Sequence, residues 1–297
     1  MAINLIRRLL QIQWVHRLLV AAGVRFVYRS IRNTILFLKY GNIKRITIED
    51  LRVCYSTEDE ASKRFFNDKY WFGDLFEKEI TLHMITALRK SRCFIDVGAN
   101  MGFYSILFAK LTEKHGGVSH AIEMDLENVG RMVKSIRLNN LTNVVTHHLA
   151  IGDHNGEVEY YRRGSELNTL MVTEKDRSHE KVTVQMRTMD EFVQENRLEP
   201  DAIKIDVEGA EFLVLSGMHD TLRKKDLKVY CEIHLHRGSG SLHAFGHSVE
   251  EVVAIFKEHG FLLKLLRLRS DSQYEERYIQ SAAEITESCM LFASREA

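Results

Sequence analysis

Proline is almost missing: Pro200 is the single one among 297 residues, where about 15 would be average. A proline-rich stalk or linker is therefore excluded. Cysteine is sparse too. Cys54, Cys93, Cys231 and Cys289 form no C-x-x-C pair and no metal-finger spacing, which argues against a disulfide framework or a zinc finger. Their expected state is that of reduced, buried thiols in a cytosolic protein. No apolar run approaches the roughly 20 residues of a membrane span; the longest near the start, Leu18 to Val24, has seven. Arginines at 7, 8, 17, 25 and 29 interrupt any signal-peptide core. Acids are missing from residues 1–48, which hold nine basic residues and a charge of +9. The whole chain is neutral, 41 basic against 41 acidic residues, so the other 249 residues carry −9.

What is present is an ordinary globular composition, 45% hydrophobic and 28% charged, enough for one large domain with an appendage. Residues 3–38 read as one long or two shorter helices, with Ile6, Leu9, Leu10, Trp14 and Leu18 at helical spacing. A hairpin over 43–55 and a helix over 75–90 complete a leading segment, residues 1–90. From 91 to 297 strands and helices alternate, which predicts a parallel sheet covered by helices. Strands are expected at 93–97, 118–122, 143–150, 202–206 and 227–233. An antiparallel pair, 156–162 with 182–187, is inserted. The last two strands, 261–268 and 288–294, are expected to pair antiparallel at one edge. The expectation is thus an α/β fold with a seven-stranded, mostly parallel sheet and an antiparallel edge strand.

The first strand–helix turn is the most informative segment: Asp96-Val97-Gly98-Ala99-Asn100-Met101-Gly102. Gly98 and Gly102 allow a sharp turn and close backbone approach, and the helix that follows presents its N-terminal amides. The dinucleotide pattern G-x-G-x-x-G is not met, since Asn100 and Phe103 stand where it needs glycine. A leading acid suits a ligand that carries a positive amine. At the end of the second strand, Glu123 stands where a carboxylate accepts hydrogen bonds from a ribose diol. Asp125 is placed to cap the next helix.

These segments, with Leu138-Asn139-Asn140-Leu141-Thr142-Asn143-Val144, Ala150-Ile151-Gly152-Asp153 and Ile203-Lys204-Ile205-Asp206-Val207-Glu208-Gly209-Ala210-Glu211, resemble the FkbM-type methyltransferases. Those are class I S-adenosylmethionine-dependent enzymes with a Rossmann-like fold. The resemblance covers residues 75 to 265, and the block from Ile203 to Glu211 is its most specific part. Met124 departs from the family, which commonly has proline after the ribose acid; a change in loop rigidity is expected there. The resemblance implies that Asp96, Gly98, Asn100, Gly102 and Glu123 bind S-adenosylmethionine, with Gly152 and Asp153 near the adenine.

Asp206 ends its strand where the sheet's carboxyl edge opens to ligands. Glu208 and Glu211 follow in the first helical turn, where an acid can serve the helix dipole alone. Alternation puts Glu232, His234 and His236 on one strand face. His234 or Asp206 is expected to take the acceptor's proton, with Glu232 orienting. The trio Glu232, His234, His236 also has metal-ligand character, but a hard ion prefers oxygens, and no metal is expected. The resemblance implies an oxygen acceptor: a hydroxyl of a sugar, glycan, lipid-linked or polyketide-like molecule. An N-methyltransferase and a non-catalytic cofactor-binding module stand as alternatives. Three readings of residues 1–48 stand in this order: a helical cap, a peripheral anchor on anionic membrane, and nucleic-acid binding. The expected location is cytoplasmic, with a peripheral position at the inner membrane face if the anchor holds.

Overall fold

The computed structural model describes residues 34, 38, 41–68, 77–162, 179–235, 241–268 and 273–296. The readings of residues 3–38 (Thr34 and Leu38 excepted), of His236 and of the middle of the 156–187 insertion lie outside the described residues. The chain divides into two compact units, Met1–Lys78 and Glu79–Ala297.

In the first unit, β1 (Ile43–Ile48) and β2 (Leu51–Ser56) form the expected hairpin, closed with Ile48 opposite Leu51. A one-turn helix, α1 (Glu60–Lys63), follows; the Asp59 carboxylate accepts from the Ser62 amide at 2.9 Å and so satisfies one of the free N–H groups of that helix end. Tyr55 stacks on Phe66 at 4.4 Å.

The second unit runs α2 (Lys78–Leu88), β3 (Cys93–Val97), α3 (Phe103–Thr112), β4 (Val118–Glu123), α4 (Leu126–Leu138), β5 (Val144–His148), β6 (Ala150–Gly152), β7 (Gly156–Arg162), β8 (Glu180–Thr188), α5 (Met189–Glu195), β9 (Ala202–Ile205), α6 (Glu211–Ser216), β10 (Lys228–Ile233), α7 (Val249–Glu258), β11 (Leu262–Leu268), β12 (Tyr274–Ile279) and β13 (Cys289–Ser294). Eight of these strands form one sheet in the order β12-β11-β13-β10-β9-β3-β4-β5. The stretch from β10 through β9, β3 and β4 to β5 is parallel. Central strands of such a sheet are covered on both faces, and Phe94, Ile95, Ile203, Ile205, Val229 and Cys231 are all buried.

Three differences from the sequence expectation have physical causes. The strand expected over 143–150 breaks at Leu149: β5 stays in the main sheet, while β6 leaves it and pairs with β8 beside β7. The last two strands do pair antiparallel, but β13 lies between β10 and β11 rather than at the edge. The main sheet has eight strands, not seven, because the charged connector folds as β12 against β11. Its acids meet bases across the pair, Lys264 to Glu276 at 2.9 Å and Arg267 to Glu275 at 2.8 Å. The charges that made it look like a loop are what hold it as a strand. Of the cysteines, all free, Cys231 and Cys289 are buried, and Cys54 and Cys93 only half-buried. No helix among the described residues is long and apolar enough to cross a membrane.

From β3 the chain proceeds to β4 and β5 on one side, and later to β9 and β10 on the other. The loops leaving β3 and β9 therefore diverge at their carboxyl ends, and a crevice opens between them.

Candidate functional site

That crevice is an open cleft at the carboxyl ends of β3, β4 and β9, the place where sheets of this kind bind small molecules. Gly98, Asn100, Glu123, Asp206 and Glu208 line it, together with the apolar Ile122, Leu149 and Ile151.

The turn after β3 is built around two glycines with different tasks. Gly98 has φ +75°, and a Cβ there would lie 1.9 Å from the carbonyl oxygen of Asp206. The two diverging turns thus touch backbone to backbone, which only glycine permits. Gly102 (φ +81°) precedes α3, and its Cβ would lie 2.5 Å from Met132 Cγ on α4. Its role is to let the two helices close up. Between them Asn100, also left-handed at φ 51°, donates its amide to Glu123 Oε2 at 2.8 Å. Glu123 Oε1 accepts the Asp125 amide at 2.8 Å. Asp125 caps α4 as expected, accepting from the Glu127 amide at 2.8 Å.

Two buried acceptors at this end of the sheet lack a partner: Asp96 Oδ1 and Asn100 Oδ1. Asp96 Oδ2 is held by the Ser105 hydroxyl at 2.6 Å. Orphaned buried acceptors are costly unless a ligand supplies donors, and an ammonium group is such a donor. Each Glu123 oxygen keeps a second lone pair for a diol. The acids and the apolar wall fit S-adenosylmethionine: Asn100 would take its amino group, with Asp96 buried and outside the residues that line the cleft, Glu123 its ribose, and Ile122, Leu149 and Ile151 its base.

Gly152 and Asp153 are not brought to the cleft. Gly152 sits against Met186 and its carbonyl against Gly217, while Asp153 is paired with the exposed His154 at 2.7 Å. Because the chain leaves the main sheet at Leu149, the residues just before them, Ala150 and Ile151, form the wall instead. Met124 packs with Ala150, Tyr160, Val184 and Met186, and its carbonyl accepts from the Tyr160 hydroxyl at 3.3 Å. The inserted sheet so braces the loop that lacks the family's proline.

Lys204 escaped the sequence reading. It is 2% exposed and donates to Asp206 Oδ2 at 2.8 Å, with its ammonium 5.0 Å from the Tyr104 ring centre. One signal for it was available, a lone cation between two isoleucines in a buried strand. Burial opposes its charge, but Asp206, Asp96 and Glu232 more than reverse this, and its pKa is raised. Asp206 is pushed up by burial but drawn down further by Lys204 and His234, so it stays below its ordinary value. Asp96 is raised by burial in spite of Lys204 and Ser105. Burial also lifts Glu123 to about 7, against the two backbone amides that favour its charge.

The predicted trio meets in part. His234 Nδ1 bonds Glu211 Oε1 at 2.6 Å, and its Nε2 faces Asp206 Oδ1 at 3.8 Å, Glu232 Oε1 at 3.7 Å and Glu208 Oε2 at 3.7 Å. Burial would lower the histidine's pKa; the Glu211 bond and the surrounding carboxylates raise it to about 10. Glu211 is therefore more than a helix-end acid: it is fully buried, and the same oxygen accepts the Gly209 amide at 3.0 Å. Glu208 owes its position to a left-handed backbone, φ 52°, in the turn from β9 to α6.

The model for the methyltransferase FkbM domain matches residues 96–263, more than half of the chain. No curated protein sequence matches. Among solved structures, the methyltransferase FkbM from Methylobacillus flagellatus KT is 17% identical with a TM-score of 0.42; the match covers 68% of this chain and 44% of that one. This chain thus spans less than half of that protein's length. The SAM-dependent methyltransferase from Agrobacterium tumefaciens is 12% identical with a TM-score of 0.45, covering 85% and 69%. Precorrin-6y C5,15-methyltransferase from Geobacter metallireducens GS-15 is 12% identical with a TM-score of 0.40, covering 73% and 88%.

Proposed function

The chain belongs to the FkbM methyltransferase family, and from that premise we propose that it moves the methyl group of S-adenosylmethionine to a hydroxyl of a sugar, glycan, lipid-linked or polyketide-like acceptor. One observation carries this reading. Asp206 belongs to both halves of the site: it lines the cofactor cleft, and its carboxylate enters the cluster around His234. The cluster therefore stands where an acceptor would meet the cofactor.

The cofactor supplies a sulfonium methyl group open to in-line displacement. The protein's part is to position two molecules and accept one proton, and positioning accounts for much of the rate in such transfers. Asn100 holds one end of the cofactor and Glu123 the other, which fixes where the methyl group points. Glu232 and the protonated His234 orient the acceptor hydroxyl by hydrogen bonds, and the ionised Asp206 takes its proton as the new C–O bond forms and the methyl–sulfur bond breaks.

Incubation with methyl-labelled cofactor and a cell extract is expected to give a product labelled on oxygen; a product labelled on nitrogen would move the reading to N-methylation. By calorimetry, Asp96→Ala and Glu123→Ala should each weaken cofactor binding about 10- to 100-fold, the loss of a charge-assisted hydrogen bond. Unchanged affinity in both variants would refute the cofactor site.

The raised pKa of Glu123 adds a pH dependence whose sign is set. The ribose hydroxyls need an ionised acceptor, so protonation of Glu123 competes with the cofactor. With a pKa of about 7, affinity should fall about tenfold between pH 8 and pH 6. Glu123→Gln should bind weakly at both pH values and lose that tenfold slope; a wild-type affinity flat across this window would show that Glu123 is not the titrating contact.

A further inference from the structure

We propose that Asp206, Glu232 and His234 form a divalent-cation site at the carboxyl ends of β9 and β10, and that the ion binds the acceptor's oxygen. The second half rests on the methyl-transfer reading above; the first does not. The register places Ile205 opposite Cys231, so Asp206 and Glu232 are neighbours across the two strands. His234 lies on the same face of its strand as Glu232. Their ligand atoms lie within 4.8 Å of one another.

The spacing leaves room for an ion between the donors, which would draw in slightly to ligate it. The separations from His234 Nε2, 3.8 Å to Asp206, 3.7 Å to Glu232 and 3.7 Å to Glu208, are too long for hydrogen bonds. Donors held at about 2.1 Å from one octahedral ion stand about 3.0 Å apart when adjacent and about 4.2 Å when opposite. The observed gaps fall between these limits. Lys204 occupies Oδ2 of Asp206 and leaves Oδ1 directed to the gap.

A second, independent observation lies behind the imidazole. Glu211 is completely buried; its Oε1 bonds His234 Nδ1 at 2.6 Å and its Oε2 has no hydrogen-bond partner. An ionised carboxylate accepts only, so Nδ1 is the donor to Glu211; with its pKa raised to about 10 the ring carries a proton on Nε2 as well, and an ion in the gap would replace that proton. A carboxylate holding the rear nitrogen of a histidine is the usual support of a metal-binding imidazole. The sequence argued against a metal because two histidines beside one acid make a poor set for a hard ion. The fold changes the set to two carboxylates and one imidazole, by bringing Asp206 from the neighbouring strand, with Glu208 3.7 Å from the same imidazole. Oxygen donors with a single nitrogen suit Mn²⁺.

Three protein donors leave three of six positions on an octahedral ion, one for water and two for the acceptor. Those two face acceptors that offer adjacent oxygens, such as a vicinal diol or a hydroxyl beside a carbonyl. An alcohol is too weak an acid to lose its proton readily to a carboxylate; coordination lowers its pKa and lets the surrounding carboxylates accept the proton.

The test uses Mn²⁺ alone with the full chain, following the free-ion signal by electron paramagnetic resonance. One ion per chain is expected to bind. Glu232→Gln should weaken it at least about tenfold, and Glu211→Gln, which touches no ion, about 10- to 100-fold. Calorimetry with S-adenosylmethionine on the same samples reports that the variants are folded; a variant that fails this control is replaced by the other. A wild-type chain that leaves the Mn²⁺ signal unchanged at about 1 mM, or variants that bind Mn²⁺ as the wild type does, would overturn the site. Cofactor binding without Mn²⁺ binding removes the ion and leaves the methyl-transfer reading. Mn²⁺ binding without cofactor binding does the reverse.

Discussion

Lys204→Met is expected to destabilise the second unit by about 3–5 kcal/mol, the usual result of removing one partner from a buried ion pair. Methionine fills nearly the same volume, so the loss reports charge rather than packing. The ammonium is 2% exposed and neutralises Asp206 at 2.8 Å, with Asp96 the next carboxylate to act on it. Without it, Asp96, already raised by burial, would be raised further and become a poorer acceptor for a cationic amine. Two readouts should therefore change together: the urea midpoint falls, and cofactor affinity falls with it. Lys204→Arg keeps the charge but not the fit, and should lose less stability. A methionine variant within about 1 kcal/mol of the wild type would mean that the pair is not desolvated.

Gly98→Ala is expected to be nearly as damaging, for a reason unrelated to charge. The left-handed backbone costs a non-glycine residue about 1–3 kcal/mol, and the new methyl group would sit 1.9 Å from a backbone carbonyl at Asp206. Neither atom belongs to a flexible side chain, so the β3 and β9 turns must separate, at about 1–3 kcal/mol more. That separation would move Asp206 away from the cleft and break the line between cofactor and acceptor. Urea denaturation should show the combined loss, and label transfer should fall below detection in a variant that still folds. Wild-type turnover in Gly98→Ala would show that the two turns need not touch. Gly102 makes a useful contrast, since its added Cβ meets the side chain of Met132, which can shift.

Local rules were legible residue by residue. The strand–helix alternation after residue 91, the turn at Gly98, the cap at Asp125 and the acid Glu123 follow from periodicity and from what a turn demands of its residues, and the sheet has them where expected. The misses share one cause, since each depends on a partner distant in the chain. The strand Tyr274–Ile279 looks like a loop until Lys264 and Arg267 stand opposite its acids. Gly152 and Asp153 lie one and two residues beyond the stretch that borders the cleft, because the chain leaves the sheet at Leu149 to meet β8. Lys204 is an oddity in its strand until Asp96 and Asp206 close around it.

The opening scarcities retain their meaning: one proline, four free cysteines, no spanning helix among the described residues. The fold class and the family were legible from the motifs instead, because both depend on patterns a few residues long that each segment carries by itself. The protonation and grouping of the acids were decided only by the tertiary structure. Asp206, Glu208, Glu211 and Glu232 are separate carboxylates along the chain, and charge interactions depend on distance and burial rather than on sequence order. The fold of β9 beside β10 turns them into one cluster about a single imidazole.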